Sequence, residues 1–172
     1  MKTSIALIGF MGTGKTVVGK VLAERSGKEF LELDALIEQK AGRTIPEIFQ
    51  QEGEVAFREL EIEATGEVSR RKNVVIACGG GIVLNKINID RLKKESLIVY
   101  LTALPRVILK RTASDESERP LLKADNRALA VNELLRFRKP FYERAADITI
   151  DTSKLDIDSV VGQIIAKAKA KI

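Results

Sequence analysis

Eight residues near the start of the chain, Gly9-Phe10-Met11-Gly12-Thr13-Gly14-Lys15-Thr16, have the spacing G-x-x-x-x-G-K-[ST] between a short apolar run and a segment of helical periodicity. Such a segment grips a chain of phosphates. Glycines let backbone N–H groups turn inward around phosphate oxygens, and the helix that follows adds the partial positive charge of its N-terminus. Lys15 would reach the β- and γ-phosphates as a point charge, and the Thr16 hydroxyl would ligate Mg²⁺. Gly12, Thr13, Gly14, Lys15, Thr16 and Val17 are therefore the candidate residues for a nucleoside triphosphate.

A phosphate grip alone does not name the acceptor. In sheets of this kind ligands gather beyond the carboxyl ends of the strands, where Asp34 and the triplet Gly79-Gly80-Gly81 follow two further apolar runs. Asp34 can accept a proton or hydrogen bond from a substrate hydroxyl, or it can cap a helix. The triplet either lets a small molecule approach the backbone or makes a tight turn. Arg58 lies beside the apolar face of its helix and Arg138 precedes Lys139-Pro140-Phe141-Tyr142. Pointing inward, the two arginines would hold a carboxylate through forked hydrogen bonds; pointing outward, they would form surface ion pairs. Cys78 reads as a small buried hydrophobe at a strand end.

The elements that must position these residues follow from periodicity. Strands are predicted at Ile5–Ile8, Phe30–Leu33, Val74–Ala77, Leu97–Leu101 and Ile148–Ile150. Between them, Val17, Val18, Val21 and Leu22 mark a helix ending near Gly27, and two short helices are broken at Gly42 and restarted around Pro46. An amphipathic helix runs from Glu54 to Arg71 with Phe57, Leu60, Ala64 and Val68 inward, despite Gly66. A weaker helix spans Ile87–Leu92, another starts at Pro105, a further one runs to about Arg144, and Ile157 to Ala168 carries a clean apolar stripe. Ala113–Ala124 has no periodicity and reads as an exposed, mobile loop. Strands alternating with helices imply an α/β fold: a five-stranded, mainly parallel sheet with helices on both faces.

Composition narrows the chemistry. The 172 residues are 45% hydrophobic and 31% charged, with a mean hydropathy of −0.03, as expected of one soluble globular domain. One cysteine and no histidine exclude an internal disulfide, a conventional zinc site and a histidine general base. The net charge of +5 favours anionic partners, although Lys167, Lys169 and Lys171 of the tail are better read as solvating a terminal helix. No apolar run is long enough to cross a bilayer and the first residues carry no export signal, so a cytoplasmic location and no membrane partner are expected.

Taken in order, the loop Gly9 to Thr16, Asp34 with Glu38, Phe57-Arg58-Glu59-Leu60-Glu61, the glycine triplet, Arg119-Pro120-Leu121-Leu122 and Arg138-Lys139-Pro140-Phe141-Tyr142 resemble shikimate kinase along nearly the whole chain. The resemblance implies a single P-loop kinase domain over 1–172, with a mobile lid at about 113–124 and substrate-binding helices at about 34–71. It implies transfer of the ATP γ-phosphoryl group, with Mg²⁺, to the 3-hydroxyl of shikimate in the chorismate branch of aromatic biosynthesis, by a monomer. By the same resemblance Asp34 binds the ring hydroxyls and acts as base, and Arg58 and Arg138 hold the carboxylate. Gly79, Gly80 and Gly81 line the pocket, Arg119 reaches the ATP phosphates from the lid, and Arg111 stacks by adenine.

Two positions depart from the family pattern. Glu32 stands where many members have an aspartate that supports the metal through water. The adenine-side loop reads Asp151-Thr152-Ser153-Lys154-Leu155-Asp156 in place of an arginine and a proline, leaving Lys154 as the candidate nucleotide contact. A kinase for another small hydroxylated acid such as gluconate would keep Lys15 and Thr16 but need a different clamp. A nucleotide-dependent nucleic-acid-binding protein would explain the basic pI, yet two tyrosines, no tryptophan and no basic cluster with interleaved aromatics argue against a nucleic-acid partner.

Overall fold

Residues 1–113 and 126–171 are described in the computed structural model. The chain runs β1 (Ser4–Ile8), α1 (Lys15–Ser26), β2 (Glu29–Glu32), α2 (Leu33–Ala41), α3 (Ile45–Val68), β3 (Val74–Ala77), α4 (Lys86–Glu95), β4 (Ser96–Thr102), α5 (Pro105–Thr112), α6 (Arg127–Ala145), β5 (Ile148–Asp151) and α7 (Ile157–Lys169), with one 3₁₀ turn at Ile82–Leu84. The strands form one parallel sheet in the order β2-β3-β1-β4-β5, with Ile5 opposite Val75 on one side and Leu97 on the other.

The sheet is covered on both faces, which is why β1, β3 and β4 are continuous apolar runs rather than alternating ones. Ile5, Leu7, Val99 and Leu101 pack with Val18, Leu22, Val161 and Ile164 of α1 and α7. Ala6, Ile8, Ile76 and Tyr100 point the other way, into a core completed by Ile37, Ile48, Phe57, Leu92, Val131 and Tyr142. Each fully buried leucine or isoleucine contributes on the order of 2 kcal/mol. Edge strand β5 shows the half-covered pattern instead, with Ile148 and Ile150 buried and Thr149 and Asp151 exposed.

Several boundaries differ from the sequence expectation. The second strand ends at Glu32 rather than Leu33, because Leu33 turns inward as the first residue of α2, wholly buried. Glu32 takes the N-cap position with extended backbone, so Asp34 falls in the first turn and is not the cap. There the helix N-terminus favours its charged form. The helix begun around Pro46 and the one begun at Glu54 are one element, α3, bent where Gly53 adopts φ 84° and ψ 178°. That helix stops at Val68, not Arg71. Gly66 inside it has a packing reason: an added Cβ would lie 2.9 Å from the Arg91 guanidinium, which donates to the Ile62 carbonyl (3.0 Å) and docks α4 on α3. The helix read at Ile87–Leu92 extends over Lys86–Glu95.

The start of α3 is fixed by a reciprocal cap, with Glu47 N–H donating to Thr44 Oγ1 (3.3 Å) and Thr44 N–H donating to Glu47 Oε2 (2.7 Å). Thr44→Ala is expected to lower the unfolding free energy by about 1 kcal/mol in urea denaturation, and Thr44→Ser to restore most of it.

Candidate active site

The phosphate loop joins the buried end of β1 to α1. Its Gly12 and Gly14 have φ of 77° and 95°, a region closed to most side chains, and Gly14 caps α1 without any side-chain bond. The first N–H groups of α1 thus face the cavity with no capping oxygen, the arrangement that accepts an anion. Lys15 Nζ donates to the carbonyls of Gly9 (2.7 Å) and Phe10 (2.9 Å), and Thr13 Oγ1 donates to Phe10 O (2.8 Å). From the other side Arg111 donates to Gly12 O (3.2 Å) and to the Thr152 carbonyl (2.9 Å). The buried Thr152 hydroxyl sits 3.2 Å from Thr13 O, so the β5–α7 turn braces the loop.

A cavity of about 750 Å³ opens from this loop across the carboxyl ends of β1, β2 and β3 to α3, a size suited to two small ligands side by side. The glycine triplet forms its wall. A Cβ on Gly79 would come within 2.8 Å of Asp34 Oδ1 and 3.1 Å of Glu61 Oε2. On Gly80 it would lie 3.3 Å from Arg138 Nη1, and on Gly81 it would meet the Arg58 guanidinium at 2.3–2.5 Å. The triplet is therefore more than a turn: four charged side chains lie against bare backbone.

Arg138 is 1% exposed. Its guanidinium lies over the Phe10 ring at 5.8 Å and beside Tyr142, whose hydroxyl donates to the Gly80 carbonyl. No carboxylate among the described residues pairs with it, and its Nε has no partner among them. Arg58 is less isolated, donating from Nη1 to Glu61 Oε1 (3.0 Å) and from Nη2 to Glu54 Oε1 (3.2 Å). Asp34 Oδ1 is buried without a partner among the described residues, and burial raises its pKa above the usual aspartate value, while Lys15 works against the rise. Burial likewise pushes Glu61 up to about 7, against the pull of Arg58. Phe49 and Phe57, with ring centroids 5.0 Å apart, give the cavity an apolar side.

Of the residues singled out in the sequence, Gly12, Gly14, Lys15, Thr16, Val17, Glu32, Asp34, Arg58, Gly79, Gly80, Gly81, Arg111 and Arg138 all line this cavity. Thr13 is buried beneath the loop. Lys154 is exposed in the β5–α7 turn and is not among the lining residues. Arg119, and the expected lid beyond Ala113, lie outside the described residues. Cys78 is buried as expected, and burial pushes its thiol pKa far up, leaving an inert hydrophobe.

Sequence reasoning missed Glu61, Tyr142 and Thr152 as functional positions. Glu61 had a signal: it stands four residues after Phe57 and three before Ala64, a charge on the buried stripe. Tyr142 and Thr152 had none of comparable strength.

Thr16 Oγ1 donates to Glu32 Oε1 at 2.9 Å, bringing two hard oxygen donors together at the mouth of the phosphate loop. No group of three or more acidic, histidine or cysteine ligands exists among the described residues. That donor set fits Mg²⁺, which keeps several waters and takes its remaining ligands from substrate phosphates. Glu32, one methylene longer than aspartate, spans to Thr16 without distortion of β2.

A phosphate loop after β1, an acid beyond β2 and an anion-seeking wall beyond β3 define a P-loop kinase acting on a small molecule. The family model for shikimate kinase matches residues 11–169. A shikimate kinase of Caldanaerobacter subterraneus subsp. tengcongensis is 48% identical over 94% of this chain and 94% of its own. The structure of shikimate kinase from Acinetobacter baumannii in complex with shikimate superposes with a TM-score of 0.95 at 39% identity, covering 99% of this chain and 95% of that one. The structure of shikimate kinase from Aquifex aeolicus gives a TM-score of 0.81 at 30% identity, over 98% and 97% of the two chains. The chain belongs to the shikimate kinase family and is an ATP-dependent small-molecule kinase. No helix among the described residues is long and apolar enough to cross a membrane.

Gly81 has ordinary backbone angles (φ −97°, ψ 8°), so alanine is tolerated there by the main chain, and the atoms its methyl group meets first are those of the Arg58 guanidinium. Gly81→Ala is expected to leave the melting temperature and nucleotide affinity near wild type while weakening the acidic substrate about tenfold, read by calorimetric titration of each ligand.

Proposed function

We propose that this chain transfers the γ-phosphoryl group of ATP to the 3-hydroxyl of shikimate, giving shikimate 3-phosphate and ADP, in the pathway to chorismate. One observation carries the site assignment: a guanidinium, Arg138, withdrawn from water beside the phosphate loop, in no ion pair with a carboxylate of the described residues and offset only by the more distant Glu61, which is itself paired with Arg58. A buried charge without a partner is costly, and a carboxylate supplied by the substrate removes that cost. Arg58, across the glycine triplet, is the second arm of the clamp. Phe49 and Phe57 supply an apolar side for a carbocyclic ring.

The reaction follows from positions. The substrate hydroxyl oxygen bonds to the γ-phosphorus, the bond from that phosphorus to the β,γ-bridging oxygen breaks, and the hydroxyl proton passes to the Asp34 carboxylate. Phosphoryl transfer has a loose transition state, so alignment and charge neutralisation matter more than a strong base. A chain without histidine is equipped for this. Lys15 leaves the Gly9 and Phe10 carbonyls to meet the phosphates, and the N–H groups of the loop and α1 hold the β-phosphate. Asp34, raised by burial, accepts the proton as the oxygen loses it to phosphorus.

Thr16, and Glu32 through water, would hold Mg²⁺, which supplies charge neutralisation on the phosphates. Arg111 is assigned to the adenine side and Arg119 to the phosphates. Lys154 is the remaining nucleotide contact of this reading. A monomer in the cytoplasm, acting on small molecules alone, completes it.

ADP release with Mg-ATP is expected with shikimate and not with gluconate, quinate or no acceptor; equal rates with gluconate would overturn the substrate assignment. Arg138→Met is expected to raise KM for shikimate at least about thirtyfold while leaving KM for ATP within about twofold. Lys15→Met is expected to abolish turnover, and Asp34→Asn to lower kcat by about 10² or more with shikimate still bound.

A further inference from the structure

Glu61 is a carboxyl group with one oxygen committed and one left over. Oε1 accepts from Arg58 Nη1 at 3.0 Å, while Oε2 is buried with no hydrogen-bond partner among the described residues. The neighbouring orphan, Asp34 Oδ1, faces the same Gly79. The charged groups around Glu61 come from three elements: Arg58 on its own helix α3, Asp34 on α2 and Arg138 on α6, with the un-ionised Cys78 thiol after β3. A proton on Oε2 removes one negative charge from this cluster and releases Arg58 to a different anion. A bare carboxylate competes for the same guanidinium.

We propose that Glu61 is a positioning residue that takes up a proton when an anionic acid engages Arg58, so that the acid binds to the protonated form of the site. This rests on the shikimate reading above. The reasoning is reciprocal: an anion placed beside Glu61 disfavours its charged form, and protonation of Glu61 in turn favours the anion. Burial already brings Glu61 into the neutral range. With no histidine in the chain, no other side chain has its ordinary titration there.

The sign follows directly. Below pH 6 Glu61 is protonated before the acid arrives and no proton is taken up; near neutrality uptake is largest; above it the acid must bind against an ionised Glu61 and its affinity falls. For a rise of about one unit on binding, affinity drops several-fold between pH 6 and 8.5, with tenfold as the ceiling.

Calorimetric titration of the nucleotide-free full chain with shikimate, in Bis-Tris and in Tris at pH 7, gives the proton count from the difference in apparent enthalpy. About half a proton taken up per shikimate is expected. Glu61→Gln is expected to bind with an uptake near zero and an affinity independent of pH from 6 to 8.5. A merely structural Glu61 would instead weaken binding at every pH and leave the count unchanged, which overturns the proposal. Should Glu61→Gln fail to fold, the wild-type count alone decides: uptake must peak near neutrality and vanish by pH 5.5, and a flat or zero count overturns the proposal. Binding without uptake sinks this inference only, whereas no binding of shikimate sinks the substrate assignment with it.

Discussion

A guanidinium group taken out of water must be compensated by hydrogen bonds, a π-face or an anion, and the structure around Arg138 supplies only part of that compensation. The Phe10 ring lies against the group without neutralising it. The rest of the cavity is arranged around the remaining demand. Tyr142 ties α6 to the carbonyl of Gly80, so the helix that carries the arginine and the strand end that faces it are fixed by one hydroxyl. Its ring stacks on Tyr100 of β4 at 5.0 Å, which anchors that hydroxyl to the centre of the sheet.

The same economy of position governs the other ligand. β1, β3 and β2 lie side by side, and their carboxyl ends present in turn the phosphate loop, the bare glycine wall and the acid at the first turn of α2. Because all three ends open on one cavity, two ligands bound there meet without any rearrangement of the sheet. The sheet is rigid, covered on both faces and built of close-packed branched side chains, and so sets the distance between them. The site needs no histidine since its work is alignment and neutralisation of charge.

Legibility in the sequence tracked how local the physical cause was. The phosphate loop was readable from eight residues because its demands are made by its own backbone. The strands were readable because burial on both faces leaves uninterrupted apolar runs. Asp34, Arg58, Arg138 and the triplet were visible as residue types, but each had a competing explanation that only three-dimensional neighbours resolve: Gly81 is explained by Arg58, twenty-three positions away. Boundaries failed where a side chain changed allegiance, as at Leu33, which continues the strand pattern yet turns into the core of α2. Glu61 was hidden for a related reason. The apolar stripe of α3 can be drawn through Leu60 as readily as through Glu61, and packing decides for the glutamate.

The Thr152 hydroxyl has a consequence for anyone altering base preference. It lies between the carbonyls of Thr13 and Thr102 and receives Arg111, so a turn expected to touch the nucleotide's base is mechanically spliced to the loop that holds its phosphates. Grafting a different turn from a relative would therefore change base recognition and phosphate grip together. The two properties cannot be engineered as independent modules unless the graft retains a hydroxyl at that one position.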